Sequence, residues 1–150
     1  MESRLDYAKA APEAYKAMLG LEAAVRKLGI DHTLLELIKI RASQINGCAF
    51  CLDMHTRDAR QQGESEERIY QLSAWHESPA FTARERAALG WTEALTLVAE
   101  THAPDDAYDE ARRHFSDKEL VDLTLAVVTI NAWNRFAVGF RRMPDLKPPN

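Results

Sequence analysis

The chain has 150 residues, of which 46% are hydrophobic and 28% charged, with 6 Gly, 6 Pro, 2 Cys and a formal charge of −4. This is enough to bury a core in one domain spanning residues 1–150, and disorder is not expected. Lys and Arg are scattered among acids with no basic stripe, so neither nucleic acid nor an anionic membrane is an expected partner. No apolar run approaches the roughly 18 residues of a spanning helix, and the first residues, Met1-Glu2-Ser3-Arg4-Leu5-Asp6-Tyr7, lack the apolar core of a signal peptide. A cytosolic location is expected. In that compartment the two cysteines suit redox or metal chemistry better than a structural disulfide, which would close too short a loop to stabilise much.

Pro12 opens the first expected helix, and Tyr15, Met18, Leu21, Val25 and Leu28 follow at helical spacing up to a stop at Gly29. Asp31 is the next N-cap, before a helix that Leu34, Leu35, Leu37, Ile38, Ile40 and Ile45 make apolar around much of its circumference. Such a helix belongs at the centre. Its polar residues Glu36, Lys39, Arg41 and Gln44 must therefore reach solvent or find partners.

The next stretch, Asn46-Gly47-Cys48-Ala49-Phe50-Cys51-Leu52-Asp53-Met54-His55, holds both cysteines. Gly47 can end one helix and open a turn, so a helix starting at or beside Cys48 puts that thiol in its first turn. Backbone N–H groups and the helix dipole there favour thiolate over thiol and make the site reactive and accessible. At helical pitch, Cys48, Cys51 and His55 fall within about 60° of one another on the helix surface.

Gly63 ends this helix, and Ser65 caps a shorter one carrying Ile69, Leu72 and Trp75. His76 to Pro79 is a break. Thr82 and Glu85 form a capping-box pattern before Ala88, Trp91, Leu95 and Val98, and Pro104-Asp105-Asp106 opens another short helix. Ser116 and Glu119 repeat the box ahead of the longest helix, which runs until Met143-Pro144 stops it. Leu123 to Ile130 has the composition of a buried strand, but its flanking caps favour helix. The expectation is one all-α domain of about seven helices with a Pro-containing tail from Pro144 to Asn150.

Four uses of the cysteine stretch compete. The cysteines can be small buried hydrophobes beside a satisfied core histidine. Zinc is possible but under-supplied, since a closed site wants four ligands and His32, His76, His102 and His114 show no ligand pairing. Covalent haem attachment fails because Leu52, not His, follows the second Cys. Thiol–disulfide redox needs an attacking thiolate, a resolving thiol and a proton-moving base, and all three residue types are present. Glu36 suits a partner for the His and a thiol proton, while an ion pair with Lys39 or Arg41 is an equally open reading.

Glu36, Cys48, Cys51 and His55 match the E-x11-C-x2-C-x3-H signature of the AhpD-like alkylhydroperoxidases, within the carboxymuconolactone decarboxylase superfamily. Leu34 to Arg60 resembles that family's core, and Asn131-Ala132-Trp133-Asn134-Arg135 resembles a piece of its last helix. The resemblance implies an all-α fold with the C-x2-C opening a helix. It also implies Cys51 as peroxidatic thiol, Cys48 as the thiol that condenses with it, and His55 and Glu36 as proton relay. No cofactor and no metal are implied. The implied partners are a peroxide substrate, a dithiol reductant such as a lipoyl-carrying protein, and further copies of the chain in a trimer or hexamer. Phe50 stands where the best-characterised family arrangement has a histidine, which shortens the relay to Glu36 and His55. Other functions within reach are γ-carboxymuconolactone decarboxylase-like chemistry, redox sensing and zinc binding; retention of both cysteines argues against the decarboxylase.

Overall fold

A computed structural model describes residues 2–146. The described residues form nine α-helices and one short 3-10 turn, with no strand among them. The helices are α1 (Tyr7–Ala10), α2 (Pro12–Val25), α3 (His32–Ile45), α4 (Ala49–Gln61), α5 (Glu66–Gln71), α6 (Ala83–Thr96), α7 (Val98–Thr101), α8 (Asp105–His114) and α9 (Asp117–Gly139). No helix is long and apolar enough to cross a membrane among the described residues. The part of the tail from 147 to 150 lies outside the described residues.

Local chemistry starts most of these helices where the sequence places them. Asp31 accepts from the Leu34 N–H, and Ser65 from that of Arg68. Thr82 and Ser116 both close complete capping boxes, with Glu85 and Glu119 reaching back to the cap N–H. Each cap satisfies amides that the helix itself leaves without acceptors. The Leu123–Ile130 segment is helical, inside α9.

Helix α3 is the centre of the packing, against α4, α6 and α9. Leu37, Ile38 and Ile40 are wholly buried, and full burial of such side chains stabilises the fold by about 1.5–3 kcal/mol each. One cluster gathers Leu34 and Ile38 with α6, α8 and α9, and a second joins Leu37 and Ile40 to Leu72, Trp75, Phe81 and Leu89. A third places Ala42 and both cysteines against Ile130 and Ala137 of α9. The cysteines are thus held between the end of α3, the start of α4 and the middle of α9.

Three features differ from expectation. The helix count exceeds seven because α1 and α7, of four residues each, are too short to show a helical period. The last helix ends at Gly139, with Arg141 at φ 53, so a left-handed residue stops it before Met143-Pro144 does. Helix α2 ends at Val25, and the Leu28 N–H is taken up in a turn by the Val25 carbonyl.

Candidate active site

Gly47, at φ +63, ends α3 and turns the chain into α4. That left-handed conformation is cheap only for glycine. It delivers Cys48 as the N-cap of α4, in extended conformation, with its sulfur accepting from the Cys51 N–H at 3.4 Å. Cys48 and Cys51 are both reduced and only 1% and 2% exposed. The accessible pair expected from the sequence is therefore covered. Cys51 instead borders a cavity of about 360 Å³ that opens to the surface beside the exposed Leu19 and Met54.

The two thiols are electrically unlike. The Cys51 S–H donates to the Cys48 sulfur, which also accepts from the Cys51 amide and the Asn134 side-chain amide; these outweigh burial and lower the Cys48 pKa to about 7. The same S–H···S hydrogen bond, with burial and the Cys48 charge, pushes the Cys51 pKa up. The cap position, where amides rather than water surround the sulfur, thus favours the thiolate on Cys48 over Cys51. The cap geometry sets this order, because it brings the Cys51 amide to the Cys48 sulfur.

Asn134, fully buried on α9, anchors the back of this pair. Its Nδ2 donates to Ser43 Oγ at 3.0 Å, and its Oδ1 accepts from Asn46 Nδ2 at 2.9 Å. Asn46 also donates to Asn131 Oδ1 at 2.9 Å, and Asn131 donates to Thr96 Oγ1 at 3.0 Å. A satisfied buried network of this kind fixes one arrangement of the helices that meet at the cysteines. Sequence reasoning left Asn131 and Asn134 out of the site; only contacts spanning 85 residues or more reveal them.

Glu36, on α3, and His55, one helical turn beyond Cys51 on α4, are both buried, and His55 Nδ1 lies 2.8 Å from Glu36 Oε2. Burial raises the Glu36 pKa, but the hydrogen bond from His55 and the charges of His55 and Lys39 outweigh it and hold the carboxyl below its ordinary value. An ionised carboxylate only accepts, so Nδ1 carries the hydrogen and Nε2 is left to exchange a proton. Both partnerships considered for Glu36 are present. Lys39 Nζ lies 3.6 Å from Glu36 Oε1 and 2.8 Å from Glu22 Oε1, with Lys39 only 3% exposed. An unpaired ion at that depth costs several kcal/mol, which explains why α2 supplies Glu22. Arg41 is satisfied away from the site, by Glu93 at 2.7 Å and Gln44 at 3.1 Å.

The cavity brings Cys51, Glu36, His55 and Lys39 to one space; its aromatic wall comes from Tyr7, Tyr15, Phe50 and Trp133. Donor atoms of Glu36, His55 and Asp58 also lie within 4.8 Å of one another. The cysteines are not part of that group, and both oxygens of Glu36 already face His55 and Lys39.

Comparison with known proteins identifies the family and the fold. The Carboxymuconolactone decarboxylase family profile matches residues 12–94. The uncharacterized protein YdfG of Bacillus subtilis is 46% identical over 139 residues, covering 93% of this chain and 95% of its own. The crystal structure of ATU0492 from Agrobacterium tumefaciens, of unknown function but with an AhpD-type antioxidant defence role suggested for it, superposes with a TM-score of 0.95 at 53% identity. That match covers 97% of this chain and all of the other. The debrominase Bmp8 shares the fold at a TM-score of 0.79 and 18% identity, over 91% of this chain and 74% of its own. The chain is therefore an AhpD-like member of the carboxymuconolactone decarboxylase family.

Proposed function

We propose that the protein is a thiol-dependent peroxidase, reducing hydrogen peroxide or small organic hydroperoxides through a Cys48/Cys51 dithiol–disulfide couple with Glu36 and His55 as proton relay. The observation that carries this reading is that Cys51 borders the same cavity as the Glu36–His55 pair, with a second, hydrogen-bonded sulfur behind it. The antioxidant role suggested for ATU0492 is consistent with it.

Reaction begins when the proton between the two sulfurs shifts to Cys48, leaving a Cys51 thiolate facing the cavity. Its sulfur attacks the terminal peroxide oxygen, an S–O bond forms and the O–O bond breaks. His55 protonates the departing hydroxide or alkoxide, so that water or an alcohol leaves and Cys51 becomes a sulfenic acid. Cys48 then gives up the proton it took, its sulfur attacks the Cys51 sulfur as the S–O bond breaks, and that proton, passed through the now neutral His55, leaves with the hydroxyl as water. The resulting disulfide returns to two thiols at the expense of a dithiol donor, for which a lipoyl arm on a carrier protein is slender enough to reach a covered pair. Phe50 leaves the relay to His55 and Glu36. The cycle uses no metal or organic cofactor. It would run in the cytosol, in a trimer or hexamer of this chain.

The test is steady-state consumption of cumene hydroperoxide with dithiothreitol as donor. Wild type turns over and Cys51→Ser does not; with the donor withheld, Cys48→Ser consumes one equivalent of peroxide in forming a Cys51 sulfenic acid. Equal consumption by all three proteins contradicts the reading.

A further inference from the structure

Two guanidiniums that the reaction above does not use line the peroxide cavity, Arg26 and Arg142. Arg142 follows the left-handed turn after α9, lines the cavity with Cys51, and is held from two sides. Its Nη1 donates to the Tyr7 hydroxyl at 2.9 Å, and its Cζ lies 4.1 Å over the Phe50 ring. Burial disfavours its charge, but hydrogen bonds with Tyr7 and Tyr15 more than compensate and raise its pKa. Its charge is close enough to Cys51 to favour that thiolate.

Among the described residues, no carboxylate lies within ion-pair distance of Arg142. The other cavity cations differ. Lys39 is matched by Glu22 and Glu36, and Arg26 lies 3.5 Å from Glu22. A guanidinium offers five donors in a planar fork suited to a carboxylate; here the residue is exposed, and neutral partners hold it in place while its remaining donors face solvent or an incoming anion. Aromatic rings stand beside it: Tyr15 and Trp133 meet edge to face at 5.8 Å, and Tyr7 and Tyr15 are tilted at 6.0 Å.

We propose that Arg142 is the anion anchor of this cavity, and that its preferred occupants are carboxylate-bearing aromatic compounds seated between Arg142 and the Tyr15–Trp133 wall. Resting on the peroxidase reading, the substrate class is then an aromatic hydroperoxide that carries a carboxylate. The Arg142–carboxylate pair holds the ring, and Cys51 attacks the terminal oxygen. The S–O bond forms, the O–O bond breaks, and the alkoxide takes its proton from His55. Phe50 has a matching role: a ring in the position before Cys51 gives the guanidinium a face to lie on.

Two measurements separate the anchor from the chemistry. The first is the binding of unreactive 4-isopropylbenzoate and of its neutral amide, 4-isopropylbenzamide, by calorimetry. Wild type is expected to bind the acid at least about tenfold tighter than the amide, the share of one charged hydrogen-bonded contact. Arg142→Met abolishes that preference, Arg142→Lys keeps part of it, and Arg26→Met leaves it intact. Absence of binding, equal binding of acid and amide, or a preference lost in Arg26→Met but kept in Arg142→Met overturns the anchor. The second is kcat/KM for cumene hydroperoxide against its 4-carboxy derivative. Preference for the carboxylated peroxide in wild type, lost in Arg142→Met through KM, supports the substrate class; equal kcat/KM overturns it. Arg142-dependent benzoate binding without turnover of any peroxide leaves the anchor in place and defeats the peroxidase reading alone.

Discussion

The ammonium of Lys39 lies 3.6 Å from the carboxylate of Glu36, with both side chains buried on the central helix of the fold. Together with Glu22 and His55 they form a continuous polar chain from α2 through α3 to α4. Lys39 thereby keeps Glu36 ionised and turned toward His55, although it touches neither sulfur.

Replacing Lys39 by Met removes the cation shared by two carboxylates. Breaking a buried pair from one side leaves uncompensated charge, so Lys39→Met is expected to lose about 3 kcal/mol of stability, read as a lower urea midpoint at neutral pH. A midpoint equal to that of wild type would show that the two glutamates are solvated without it.

The Glu36 carboxyl also sets an acid limit. Its folded pKa is below its ordinary value of 4.5, so its stabilising contribution is fully present above about pH 4.5 and disappears as pH falls through the folded pKa. The stability gap between wild type and Glu36→Gln should therefore narrow on acidification from pH 7 to pH 3. Urea titrations across that range check it, and a gap that stays constant or widens runs against the assignment.

Thiolate absorbance in the ultraviolet should show one cysteine titrating near pH 7 and the other only in strong alkali. Cys51→Ala removes the S–H donor and should move the Cys48 titration up toward 9.0. Cys48→Ala removes both the shared hydrogen bond and the neighbouring anion, and should bring the Cys51 pKa down. Two independent titrations near the ordinary thiol value would mean that the sulfurs do not share a proton.

Asn134→Leu preserves approximate volume and deletes the amide behind the pair. Ser43 and Asn46 each lose a partner, at an expected cost of about 2 kcal/mol for buried groups left unpaired. The Cys48 titration should rise as well, since one donor to its sulfur is gone. Loss of stability with an unchanged titration would reduce Asn134 to packing.

Features with a local cause were legible in the sequence. Asp31, Ser65, Thr82 and Ser116 act within three residues of themselves, so reading the chain in order finds them. Gly47 and the spacing of Cys48, Cys51 and His55 are local in the same sense. Glu36 was reached through a family signature, and its choice between His55 and Lys39 turned out to be no choice. Glu22, Asn134, Tyr7 and Arg142 were not legible as site residues. Arg142 meets Tyr7 across 135 residues and Asn134 meets Ser43 across 91, and no periodicity encodes such pairings. The burial of both sulfurs, one of four competing readings of the sequence, was left undecided there for the same reason, since their cover involves α9 against the end of α3.

The central claim is that Cys51 meets the oxidant and Cys48 resolves the product. Its most direct measurement is mass spectrometry of reduced protein quenched after one equivalent of hydrogen peroxide, with dimedone to trap sulfenic acid. Wild type should yield an intramolecular Cys48–Cys51 disulfide, Cys48→Ser a dimedone adduct on Cys51, and Cys51→Ser no adduct on the same timescale. An adduct on Cys48 in Cys51→Ser, with Cys51 unmodified in Cys48→Ser, would contradict it.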